Sequence, residues 1–151
     1  MGISFDEIEE GAVYVSQSRT IRETDIVNFA GLSGDFNPLH TDEVWVKANT
    51  KYERTIAHGL LITAVSSGFR TAGLDDWIIL AYLGIERKFQ APVYPGDTLF
   101  QRSRVVSIRR SNSNPKAAIV TVEANVFNQD DTVVQHGHDT YLVGSETLEE
   151  S

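Results

Sequence analysis

His58-Gly59-Leu60-Leu61-Ile62-Thr63-Ala64-Val65-Ser66-Ser67-Gly68-Phe69 is the stretch on which the fold turns. Its apolar residues do not keep to one stripe. Leu60, Leu61, Ile62, Ala64, Val65 and Phe69 cover several helical faces, which marks a helix surrounded by protein. Ser66, Ser67 and Gly68 are small, so another element packs closely against that side. Gly73 is a natural C-terminal stop, giving an expected helix about 21 Å long at ~1.5 Å per residue.

The cover for such a helix follows it. Residues 77–89, 98–110, 117–127 and 132–143 are rich in Val, Ile, Thr and aromatic side chains, the composition of strands. Pro95-Gly96-Asp97, Asn114-Pro115-Lys116 and Asn128-Gln129-Asp130-Asp131 supply turns between them. Short turns between successive strands require antiparallel neighbours. Ahead of the helix, residues 12–21 alternate loosely and read as a first strand. Ile26, Phe29 and Ala30 make the apolar stripe of a first helix, which a Thr20/Glu23 capping box can open. A short helix over 42–48, capped by Thr41 or Asp42, and a polar loop over 49–56 complete the chain. The expected class is α+β, an antiparallel sheet of about five strands around one long buried helix.

The chain has 151 residues, 41% hydrophobic and 23% charged, which fits a single soluble domain over 1–151. Its polar, acidic end, 145–151, is expected to fray. It contains no cysteine, so disulfides, thiolate metal sites and cysteine nucleophiles are excluded. The acidic start lacks a basic segment followed by an apolar one, so no signal peptide is expected. No apolar run reaches membrane-spanning length. The expected setting is the cytoplasm, away from membranes. A net charge of −8 argues against nucleic acid, where phosphate attraction dominates non-specific binding.

Ser33-Gly34-Asp35-Phe36-Asn37-Pro38-Leu39-His40 holds a carboxylate and an imidazole five residues apart. Pro38 pushes Asn37 out of the helical region and Gly34 permits a tight path, so the segment reads as a stiff turn, neither helix nor strand. Taken singly, Asp35 is as readily a turn aspartate bonded to its own backbone, and His40 a partly buried, hydrogen-bonded histidine. His40, His58, His136 and His138 show no metal-ligand spacing, so no metal is expected.

Gly34-Asp35-Phe36-Asn37-Pro38-Leu39-His40 resembles the signature of the MaoC-like, (R)-specific enoyl-CoA hydratase family. The similarity runs on through Ile56-Ala57-His58-Gly59, Phe89-Gln90-Ala91-Pro92-Val93-Tyr94-Pro95-Gly96-Asp97 and Val126-Phe127-Asn128-Gln129, in order along nearly the whole chain. Arg22, where a Ser or Thr helix cap is commoner, is a departure away from the chemistry. The resemblance implies the hot-dog fold and reversible hydration of trans-2-enoyl-CoA without a cofactor, on a CoA or acyl-carrier-protein thioester, in at least a homodimer.

It also implies roles. Asp35 and His40 would share the acid and base work that water addition to a conjugated thioester requires, with the division between them open. Gly59 opens the buried helix, where free N–H groups and the helix dipole favour developing negative charge. The family implies that its amide is the oxyanion donor, an interaction worth ~3 kcal/mol in a transition state. Otherwise Gly59 merely permits a tight junction. Asn37 braces the turn or touches substrate. Ser67 lines the site, or packs under the sheet and bonds back to a carbonyl. His58 reads as a helix cap, and Tyr94, Gly96 and Asp97 as turn structure. Arg87, Lys88, Arg109 and Arg110 are the basic candidates for CoA phosphates, or else solvated strand ends. The rivals are a hot-dog thioesterase, which would release free thiol, and a non-catalytic acyl-CoA-binding or regulatory subunit.

Overall fold

A computed structural model describes residues 2–145. A 3-10 turn at Phe5–Glu7 precedes β1 (Val13–Val15), β2 (Arg19–Thr20), α1 (Glu23–Ser33), α2 (Pro38–Thr41), α3 (Glu43–Asn49) and α4 (Gly59–Ser67). Four long strands follow: β3 (Ile79–Phe89), β4 (Thr98–Arg110), β5 (Ala117–Phe127) and β6 (Val133–Gly144). The expected tail beyond Ser145 lies outside the described residues.

Six strands form one sheet in the order β1-β4-β5-β6-β3, with β2 also on β4, and every named pair is antiparallel. The architecture is the hot-dog fold, α+β, with α4 packed on the sheet. Leu61, Ile62 and Phe69 share one core cluster with Val126 and Val134 of the sheet and with Ile21 and Ile26. A second cluster joins Phe5, Ile8 and Trp77 to Val105, Val120 and Val122.

Four expectations need correction. The single strand over 12–21 is broken into β1 and β2. At the break the Ser16 hydroxyl accepts from Gln101 N, and Gln17 N turns away to donate to Arg70 O. β3 and β4 succeed one another but are not neighbours. The segment between them packs on the site side instead, where Ala57 N donates to Val93 O at 2.8 Å and Ile21 N to Asp97 O at 2.8 Å. The start of α1 uses no Thr20/Glu23 box. The Asp25 carboxylate accepts from Arg22 N at 2.8 Å, while Thr20 Oγ1 lies 2.8 Å from Thr98 Oγ1 in the β2–β4 pair.

The fourth correction concerns α4. It has nine residues and ends at Ser67 rather than near Gly73, so it is about 14 Å long. The Ser66 and Ser67 hydroxyls donate to Thr63 O (3.1 Å) and Ala64 O (2.6 Å), satisfying carbonyls of the last turn as it stops. One face also stays open within the single chain: Leu60 is 64% exposed and Ala64 and Ser67 are exposed.

Candidate active site

α1 stops because Gly34 adopts φ +78°, with its N–H donating to Ala30 O, a left-handed cap open to glycine. A ladder of side chain-to-backbone bonds then shapes the turn. Ser33 Oγ accepts from Asp35 N (3.1 Å), Asp35 Oδ1 from Asn37 N (3.1 Å), and Asn37 Oδ1 from Leu39 N (3.0 Å). Asn37 is thus the cap of α2, with Pro38 at its first position. The stretch expected to be non-helical therefore ends in one helical turn, because a first-turn N–H has no intrahelical partner to lose.

That turn brings His40 over the Asp35 carboxylate. His40 Nδ1 lies 2.7 Å from Ile56 O. A carbonyl can only accept, so Nδ1 carries the hydrogen and Nε2 of the neutral ring is bare. Nε2 is 3.9 Å from Asp35 Oδ2, too long for a direct hydrogen bond and a span that one water can bridge. Burial holds the His40 imidazole below the ordinary histidine pKa; the Ile56 bond opposes this, nearby His58 adds to it, and Asp35 opposes it weakly. The Asp35 side chain is 51% exposed and open to reactants.

His58 does not cap α4 through its side chain. Its Nε2 lies 2.9 Å from Asp35 O, and its ring stacks on His40 with centroids 3.8 Å apart. One ligand atom from each of Asp35, His40 and His58 falls within 4.8 Å of the others. They make a poor metal donor set. Stacked imidazoles direct their in-plane lone pairs side by side rather than at one point.

Gly59 begins α4, so its N–H has no intrahelical acceptor and sits at the positive end of the helix dipole. It lines a cleft of about 330 Å³ together with His40, Ile62, Phe89 and Gln135. A Cβ at Gly59 would lie 2.4 Å from Phe89 Cε2, so only glycine leaves that ring in place. Gln135 is a site residue that the sequence did not reveal. Only 2% exposed, it donates through Nε2 to Gly59 O at 2.7 Å and accepts from Thr63 Oγ1 at 2.9 Å. Nothing local marks it; it sits in the alternation of β6 like any inward residue. Lys51 and Tyr52, in the segment read as a plain loop, also line the cleft.

His40 and Gly59 therefore share the cleft, with the Asp35 carboxylate beside His40 and Asn37 capping the helical turn that carries it. Ser67 does not line the cleft: it lies at the far end of α4, bonds back to Ala64 O and borders a different cavity with Arg70 and Tyr141. Arg87 is turned inward, its side chain 4% exposed and its Nη2 2.9 Å from both Asp139 oxygens, so its charge is already neutralised. Arg110 pairs with Asp6 at 3.0 Å. Arg109 and Arg110 end β4, some 30 Å of strand from Gln101 at ~3.4 Å per residue; Gln101 is the β4 residue in register with Gln135 through Val126. Lys88 is exposed on β3 beside the cleft residue Phe89.

The chain is similar to known proteins. The family model described as "MaoC like domain" matches residues 5–127. The (R)-specific enoyl-CoA hydratase of Aeromonas caviae is 33% identical over 112 residues, covering 74% of this chain and 78% of that protein. An enzyme of the same name from Rhodospirillum rubrum is 41% identical over 98 residues, covering 63% and 64%. A solved structure titled monoamine oxidase regulatory protein, from Archaeoglobus fulgius, superposes with a TM-score of 0.87 at 31% identity over 96% of each chain. A family match over most of the chain, with the Asp35–His40 turn set against the start of α4, makes this protein a member of the MaoC-like family.

Proposed function

We propose that the chain is a hydro-lyase that adds water reversibly to a trans-2-enoyl thioester, giving the (R)-3-hydroxyacyl thioester. The observation that carries this is the bare His40 Nε2 set 3.9 Å from Asp35 Oδ2, with His40 and Gly59 on the wall of one cleft. A water held between the two side chains attacks the β-carbon as one of its protons passes to the pair. Electron density moves to the thioester oxygen, where the Gly59 N–H stabilises it. The pair then returns a proton to the α-carbon. No electrons are gained or lost overall, so the groups named suffice without a cofactor. The names of the relatives support the (R) hand and the enoyl-CoA substrate class. The test is loss of the conjugated absorbance with crotonyl-CoA, longer homologues and the matching acyl-carrier-protein thioesters. Folded protein inert on the whole panel would sink the proposal, and free thiol without hydration would point to a thioesterase.

A pH profile follows from His40. His40 must be neutral to hold the water through its bare Nε2, and its pKa is lowered from the ordinary value of 6.5. Activity is therefore constant through neutrality and falls on acidification with a midpoint below about 6.5. A midpoint above that value would contradict the buried, neutral ring.

Among the described residues Lys51 is the cation on the cleft wall, which makes it the better candidate for CoA phosphates than Arg87, Arg109 or Arg110. Lys51→Ala should raise KM for a CoA substrate several-fold, by about 1 kcal/mol, with kcat nearly unchanged. An unmoved KM would remove Lys51 from the binding surface.

The chain also presents a pairing edge. β3 ends the sheet, and Tyr82, Leu83, Ile85 and Phe89 are exposed along it, with Leu60 on α4. An apolar open edge is a template for another strand, here a second copy. Light scattering should give a homodimer or a multiple of it at micromolar concentration, and Ile85→Lys should shift the mass toward the monomer. A monomeric native protein would refute the pairing.

A further inference from the structure

His58 is buried at 3% exposure and takes no part in the chemistry proposed above, yet it touches every part of it. Its Nε2 faces the Asp35 carbonyl at 2.9 Å. That oxygen can only accept, so Nε2 carries the hydrogen and Nδ1 is bare. Nδ1 is buried and has no partner. A phenyl ring would fill the same space without stranding a nitrogen, so packing alone gives no reason for an imidazole here. The donor to Asp35 does.

The remaining bonds of the turn are short in range. Asp35 N goes to Ser33, Asn37 N to Asp35 and Phe36 N to Gly34. Among the described residues, the bond from His58 is the one that ties residues 34–37 to a distant part of the chain. The same ring lies face to face with His40, 3.8 Å between centroids and 27° between planes, and edge-on to Phe29 at 4.9 Å. His58 also directly precedes Gly59, so it joins the acid–base turn to the amide at the start of α4.

We infer that His58 is a positioning residue, which fixes the Asp35 backbone with one edge and the His40 ring with one face and so sets the distance between the two reacting groups. This rests on the hydration reading of the site. The groups around His40 are Asp35 on the turn, His58 before α4, and Lys51 and Tyr52 across the cleft. Of these, His58 contributes to holding the His40 pKa down.

Two variants and the native protein test it. His58→Phe keeps the stack and loses the donor; His58→Gln keeps a donor and loses the stack. Each should lower kcat on crotonyl-CoA by about 100-fold, the scale of an ångström-sized misplacement, with KM little changed. Each should also move the acidic limb of the kcat profile to higher pH, because His40 loses a neighbour that favours its neutral form. The same upward move should appear in the NMR titration of the His40 ring without substrate. In the native protein, ¹⁵N shifts should show His58 protonated on Nε2. A folded variant with native kcat and an unmoved His40 titration overturns the inference, and so does an Nδ1–H tautomer in the native protein even where neither variant folds. If the native enzyme is inert on enoyl thioesters, the hydration reading falls, while the titration and tautomer still judge the tie between His58 and the turn.

Discussion

Asp35→Asn is expected to lower kcat on a 2-enoyl-CoA substrate about 10³-fold while leaving the melting temperature nearly unchanged. The size is that of a lost general acid–base group. The selectivity for activity over stability comes from the two jobs of the side chain. Oδ1 accepts from Asn37 N at 3.1 Å and holds the turn, a bond the asparagine oxygen can keep. The other oxygen faces His40 Nε2 at 3.9 Å, and an NH₂ there can only donate. It cannot take a proton from water, and it meets the bare Nε2 as a donor, capturing the lone pair that the water would use. The side chain is half exposed, so no buried charge is created or removed. Steady-state kinetics beside a thermal melt checks this, and a near-native rate would remove Asp35 from the reaction.

Arg87→Met should cost roughly 3–5 kcal/mol of stability, because it leaves the Asp139 carboxylate buried without its cation. For a domain of this size that is a fall of about 10 °C in Tm. Both side chains are 4% exposed. Asp139 also accepts from Tyr82 Oη at 2.6 Å, where burial followed by that bond pushes the tyrosine hydroxyl well above its ordinary pKa, but a neutral phenol cannot replace the lost cation. Replacing Asp139 by Leu in the same chain should recover most of the loss, since an apolar pair can stand where an ion pair stood. A single variant that melts with the native protein would show that Asp139 reaches water. Arg87 was first a candidate for binding phosphate, and its charged neighbour decides otherwise.

Arg87 and Lys88 show where the sequence stops. Arg87-Lys88 is an adjacent basic pair, and residues that adjoin on a strand point to opposite faces. One therefore met Asp139, 52 residues away, and the other met solvent. Gln135 was invisible for the same reason: its partner Gly59 is 76 residues away. Ser67 shows the converse. Its place on the helix was read from spacing, but spacing along an axis does not say which cavity a hydroxyl enters.

The sequence by itself determined the four long strands, the first helix, the capped helix after Asp42 and the family, because each depends on local patterning or on a contiguous motif. It also determined the Asp35-to-His40 turn, whose internal bonds span two to five residues. Only the tertiary structure decided that α4 stops at Ser67, that β3 lies beside β6 rather than β4, and that His58 Nε2 meets the Asp35 carbonyl. Those outcomes depend on which distant groups meet as the sheet closes over the helix. The groups proposed to react are written in one short stretch; what holds them comes from Ile56 and His58 ahead of α4, and only packing brings those together.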